Sequence, residues 1–134
     1  TDTCILAGLG DQRVPDDDLL EWDYGEYEGL TTASIHERNP TWSLWTDGCP
    51  SGESGADVAA RADRVIERCL GVEGDVVVFA HGHLLRVLGA RWVGAEATFG
   101  AHLLLSTASV SALGWERETR AIAGWNDTSH LSPR

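Results

Sequence analysis

Asp75-Val76-Val77-Val78-Phe79-Ala80-His81-Gly82-His83 is the stretch whose reading decides the fold. An aspartate followed by five apolar residues is the pattern of a short strand covered on both faces in a parallel sheet. Beyond His81-Gly82-His83, the apolar positions Leu84, Leu85, Leu88 and Trp92 predict a helix that Gly94 stops. Upstream, Ser54 is a good N-cap for another helix, in which Val58, Ala62, Val65, Ile66 and Cys69 recur at helical spacing before Gly71 and Gly74 end it. Helices interleaved with a buried strand argue for an α/β sandwich.

The flanks are less regular. Thr31 or Thr32 caps a short helix through Ile35 that stops at Asn39-Pro40, because the residue before proline avoids the helical region. Trp42, Leu44 and Trp45 follow on a helical turn, and residues 47–55 form a loop rich in Gly, Pro and Ser. Near the end, Ser109 to Glu116 and Thr119 to Asn126 alternate on either side of Arg117-Glu118, which predicts a hairpin. Asp11 to Asp18 is a polar surface connection. Thr1 to Gly8 has the form of a helix end closed by glycine. The chain also contains no methionine, so the expectation is a fragment of a longer protein.

At 134 residues the chain is one domain's worth, and with 43% apolar residues it can bury a core, which argues against disorder. A net charge of −11 argues against nucleic-acid or acidic-membrane surfaces, but a small phosphorylated substrate needs only a local cluster of donors. No apolar run is long enough for a membrane span. Cys4, Cys49 and Cys69 are odd in number and widely spaced, the usage of reduced thiols in an intracellular, cytoplasmic protein. Homo-oligomerisation is left open.

Two clusters carry chemistry. In open α/β sheets, ligands sit beyond the carboxyl ends of strands, where the next helix presents unpaired N–H groups. Gly82 would let a ligand approach the backbone, and an imidazole at His81 can donate to phosphate oxygens. The alternatives for His81 are a helix cap or a bond to a backbone carbonyl. His81 and His83 could also be two metal ligands, but no third ligand pattern accompanies them, so no metal is expected. The second cluster is Leu20-Glu21-Trp22-Asp23-Tyr24-Gly25-Glu26-Tyr27-Glu28-Gly29-Leu30. A carboxyl pressed against apolar groups favours its protonated form, as donation to a leaving alkoxide requires. Glu21, between two leucines and a tryptophan, is the one expected to be half buried, and Asp23, Glu26 and Glu28 are expected to face solvent.

Taken in order, Leu20-Glu21-x-x-Tyr24-Gly25-x-x-Glu28-Gly29, Gly52-Glu53-Ser54, the strand ending in His81-Gly82, Ser109-Val110-Ser111 and Asn126-x-x-x-His130-Leu131 resemble the histidine phosphatase superfamily. The resemblance runs over nearly the whole chain. It implies a phosphoglycerate mutase-like fold, a three-layer sandwich with a mainly parallel sheet, as a single domain over residues 1–134. By that resemblance Glu21 is the general acid and base, His81 stabilises the transferring phosphoryl group, and Gly82 and His83 line the same pocket. It implies a phosphomonoester hydrolase acting through a phosphohistidine, with a small phosphorylated substrate and no metal or organic cofactor.

The family's nucleophile lies in an Arg-His-Gly segment that is absent from this sequence, so the expectation is a chain lacking the first βα unit and inactive alone. Trp45 is followed by Thr46-Asp47, where mutases typically carry an arginine pair, and this favours a phosphatase over a mutase. A mutase-type phosphotransferase and a non-catalytic phosphate-binding remnant remain the alternatives.

Overall fold

In the computed structural model, which describes residues 2–131, the longest element is the helix α4, Gly55–Leu70. Its start is dictated locally. The Ser54 hydroxyl accepts from the Asp57 N–H while the Asp57 carboxylate accepts from the Ser54 N–H, a reciprocal capping box. One face of α4 is removed from water, with Val58 and Ala62 fully buried and Val65 and Ile66 nearly so. Each buried Val or Ile side chain contributes about 1.5–3 kcal/mol relative to exposure. That face packs on α5, Gly82–Trp92, which buries Leu84, Val87, Leu88 and Trp92.

Three short helices precede α4: α1 (Asp2–Leu6), α2 (Thr32–His36) and α3 (Leu44–Asp47). Thr31 caps α2 by accepting from Ser34 N–H, as the threonine pair predicts. Gly8 has φ of 78° just beyond α1, the left-handed residue expected after a helix end. A 3₁₀ segment, Ala97–His102, lies against α5, and the Arg86 guanidinium ties it down by donating to the Gly100 and Ala101 carbonyls.

The hairpin forms where the alternation predicts it. Strands β1 (Val110–Glu116) and β2 (Thr119–Asp127) pair antiparallel across Arg117-Glu118, with Arg117 in the left-handed region at φ 56°. Trp92 fastens the hairpin to α5 by donating from Nε1 to both Gly114 O and Ala121 O, each at 3.1 Å. Gly89 is required at this crossing, since a Cβ there would lie 2.7 Å from the Trp125 ring.

The expected parallel sheet is where the structure differs. Among the described residues the sheet is the two-stranded antiparallel hairpin alone. Residues 75–80 carry no strand ladder, and Val76 and Val77 are 44% and 62% exposed. The apolar run has the composition of a doubly covered strand. Ladder formation, however, needs a neighbouring strand, which nothing local to the run supplies. No helix among the described residues is long and apolar enough to cross a membrane.

Candidate active site

The site begins with two loops that touch backbone to backbone. Gly25 has φ of 51°, and a Cβ on it would overlap the Pro50 carbonyl and the Gly52 N–H. A Cβ on Gly52 would in turn lie 2.7 Å from Gly25 N. Only glycine opposite glycine permits the approach. The loops are cross-linked by Glu26 N–H to Pro50 O and Glu53 N–H to Asp23 O, both at 2.9 Å. Trp22, 1% exposed, donates its indole N–H to Glu53 O at 2.9 Å.

Arg61, on the second turn of α4, fixes the same region. Its guanidinium pairs with both oxygens of Glu53 at 2.7 Å and also donates to Asp18 O at 2.8 Å, Leu20 O at 3.0 Å and Glu21 O at 3.4 Å. A planar fork with five donors can hold a carboxylate and several carbonyls at once. Farther along α4, Arg64 and Arg68 pair with Asp18, whose carboxyl is lowered to about 2, first by the hydrogen bond from Arg64 and, against burial, by that from Arg68.

These restraints set Glu21 at the N-terminus of α5. His81 is the N-cap residue, and its side chain does not cap the helix. The first-turn N–H groups instead meet the Glu21 carboxylate: His83 N–H donates to Oε2 at 3.2 Å and Leu84 N–H to Oε1 at 3.0 Å. Trp22 N–H adds a third bond to Oε1 at 3.0 Å. A carboxylate has about four lone-pair directions. Two of these bonds reach Oε1 and one reaches Oε2, the oxygen 3.9 Å from where a Gly82 side chain would begin. A carboxyl at a helix N-terminus, with one oxygen near the Gly82 backbone, can exchange a proton with a group held there.

His83 is fixed from the other side. The Tyr24 hydroxyl lies 2.6 Å from His83 Nδ1. Burial, with the nearby Glu21 charge, pushes the Tyr24 phenol well above its usual range, so it keeps its proton. Burial lowers His83, which favours the neutral ring. The two neutral groups share one hydrogen bond, its donor set by the tautomer of His83. The His83 ring also packs edge-on against Trp45 at 5.5 Å, and the Arg86 guanidinium lies over the Trp45 ring, 4.5 Å from its centre.

Of the residues singled out in the sequence, Glu21, Gly82 and His83 thus come together, and the exposed His81 adjoins them. Glu21 is half buried, whereas Asp23, Glu26 and Glu28 are exposed. Ser111 and Asn126 serve the hairpin: the Ser111 hydroxyl accepts from Asn126 N–H, and Asn126 Oδ1 accepts from Ser106 N–H at 2.7 Å. Among the described residues no three His, Cys, Asp or Glu side chains are grouped to hold a metal. The sequence reading missed Arg61 and the pairing of Tyr24 with His83. An arginine one position before the buried Ala62 was the available signal for the first. A contact between residues 59 positions apart has no local signature.

Comparison with known proteins bears on this arrangement. The chain is similar to an acid phosphatase of Mycobacterium tuberculosis strain H37Rv, with 42% identity over 98% of the chain and 66% of that protein. It is 40% identical to sedoheptulose 1,7-bisphosphatase of Saccharomyces cerevisiae strain S288c over 67% of the chain and 42% of that enzyme. The chain therefore spans between two fifths and two thirds of these relatives' lengths. Its structure matches that of the Mycobacterium tuberculosis open reading frame Rv3214 with a TM-score of 0.87 at 42% identity, over 93% of this chain and 65% of that one. The agreement identifies an α/β fold of histidine phosphatase type. Residues 1–128 match the model of the histidine phosphatase superfamily, branch 1, and the chain belongs to that superfamily.

Proposed function

We propose that the chain carries the acid–base and phosphoryl-binding part of a phosphomonoesterase that works through a phosphohistidine. The observation that supports this most is the Glu21 carboxylate seated on the first-turn N–H groups of α5, with Oε2 toward Gly82. A histidine nucleophile attacks phosphorus in line. The N–P bond forms as the P–O bond to the alcohol breaks, and Glu21 gives its proton to the leaving oxygen. Water then attacks phosphorus, the N–P bond breaks, and Glu21 takes the proton from that water. His81 and the Gly82 backbone stabilise the charge on the phosphoryl oxygens. The nucleophile belongs to an Arg-His-Gly segment that these 134 residues do not include, and polypeptide beyond them would supply it.

The same reading extends to the fold. Residues 75–80 would be one strand of a mainly parallel sheet, completed by a first βα unit outside the chain. The exposed Val76 and Val77 support that placement. Cys4, Cys49 and Cys69, none of them paired, suit a reducing, cytoplasmic setting.

The test compares two proteins on p-nitrophenyl phosphate, the 134-residue chain and the chain preceded by a strand ending in Arg-His-Gly. The first is expected to show no turnover above background. The second should turn over, with an acid-labile phosphoenzyme and a loss of at least tenfold in His81→Ala. Turnover by the short chain, or indifference of the longer one to His81→Ala, would reject the mechanism.

A further inference from the structure

A groove of about 560 Å³ runs between the 24–36 segment and α3, with His83 between it and the Glu21 carboxylate. That volume is in the range of small-molecule sites, about 300–1,000 Å³. Its walls include six rings: Tyr24, Tyr27, His36, Trp42, Trp45 and His83. Tyr27 and Trp42 meet edge to face, with centres 5.3 Å apart at 89°.

Several polar atoms of these rings are engaged by the protein itself. The Trp42 indole N–H donates to Gly48 O at 2.8 Å, and His36 Nε2 is bonded to Trp42 O at 2.8 Å. The Tyr24 hydroxyl is held by His83. The groove thus presents ring faces together with the polar edges of Tyr27 and Trp45. Its lining holds a single carboxylate, Glu28, and no arginine. Arg86 reaches Trp45 from outside the lining, with its guanidinium bonded to Gly100 O and Ala101 O. His83 joins the two regions, because its ring lines the groove while its backbone N–H binds Glu21 Oε2.

We infer that this groove receives the alcohol half of the substrate, and that the alcohol is neutral and ring-bearing, without a second phosphate or carboxylate. Resting on the phosphatase reading, this narrows the substrate class to phosphomonoesters of aromatic or other apolar cyclic alcohols. An apolar ring gains by leaving water for the walls and by edge-to-face contacts with them. A second anion would be desolvated opposite Glu28 with no guanidinium to meet it.

The test uses the 134-residue chain and two probes that carry no phosphate, 2-naphthol and its 6-sulfonate. In ¹H–¹⁵N spectra, 2-naphthol is expected to shift the indole N–H signals of Trp42 and Trp45 and to leave those of Trp115 and Trp125 in place. The sulfonate should bind at least tenfold more weakly. Trp42→Ala should weaken 2-naphthol at least tenfold. Should that variant fail to fold, Glu28→Lys, at an exposed position, decides: sulfonate affinity rises severalfold and 2-naphthol affinity stays within twofold. Equal binding of the two probes, shifts confined to other tryptophans, or no binding of 2-naphthol would overturn the inference. Neither probe has a phosphoryl group, so failure of the phosphatase chemistry would leave these results untouched, and failure here would leave that chemistry standing.

Discussion

Replacing Glu21 by Gln separates a carboxylate that holds the structure together from one merely poised near it. In the native chain Oε1 accepts from Trp22 N–H and Leu84 N–H, and Oε2 accepts from His83 N–H. The amide keeps the shape but offers one acceptor. With its oxygen at the doubly bonded position, its NH₂ faces the His83 N–H, donor against donor. The loss is one hydrogen bond to a charged group, about 1.5–3 kcal/mol, together with a favourable charge at a helix N-terminus, about 0.3–1 kcal/mol. Urea denaturation should therefore show a destabilisation of about 2–4 kcal/mol, a large share of the roughly 5–15 kcal/mol typical of a domain. With a denaturant slope of about 2 kcal/mol per molar, the middle of the usual range, the midpoint falls by about 1–2 M. Glu28→Gln, at an exposed position, should stay within about 0.5 kcal/mol. Neutralising an acid with no structural duty leaves stability unchanged or raises it. A Glu21→Gln midpoint at or above the wild-type value would refute the capping role.

Acid should weaken the fold in two steps. Burial holds His83 below its ordinary 6.5, so the unfolded chain takes up that proton first and stability falls as pH drops below 6.5. The Asp18 carboxyl, held at about 2 against an ordinary 3.8, adds a second loss as pH falls from 3.8 toward 2. Urea midpoints across pH 2–8 read both windows, and Arg64→Ala should shrink the lower one. Tyr24→Phe leaves His83 Nδ1 without its hydrogen-bond partner and should cost about 1–3 kcal/mol in the same assay; a cost near zero would show the hydrogen bond to be dispensable. Gly25→Ala combines a left-handed backbone, about 1–2 kcal/mol, with overlap onto the 50–52 backbone, so a loss of about 3 kcal/mol or more is expected. Gly29→Ala, at φ 75° with nothing within 4 Å, should show only the backbone cost, and equal losses at the two sites would mean the loops can part.

What the sequence made legible was what neighbours in the chain decide. Ser54 and Asp57, three residues apart, define the start of α4 by bonding each other, and the stripe Val58, Ala62, Val65 and Ile66 fixes its buried face. The hairpin is set by alternation and a two-residue turn. Glu21 was readable as half buried from Leu19, Leu20 and Trp22 around it, although its bonds to His83 and Leu84 span more than 60 residues. Residues 75–80 mark the limit. An apolar run reports what a segment can bury, and whether it joins a ladder depends on a partner strand that its own composition does not encode. Arg61 was missed for a similar reason, since three of its bonds go to carbonyls, which every residue type carries.

The grip of Arg61 on the Glu21 segment has a mechanical side. Its guanidinium holds carbonyls at 18, 20 and 21 from a side chain rooted on α4, so the segment is carried by that helix and cannot adjust independently of it. Sliding or rotating α4 on α5 would drag the Glu21 backbone while the α5 N–H groups kept hold of its carboxylate. Relative motion of the two helices is thereby converted into strain on one side chain. Any binding event that shifts α4 acquires leverage on the acid through two bonds' length of rigid guanidinium, without touching the site.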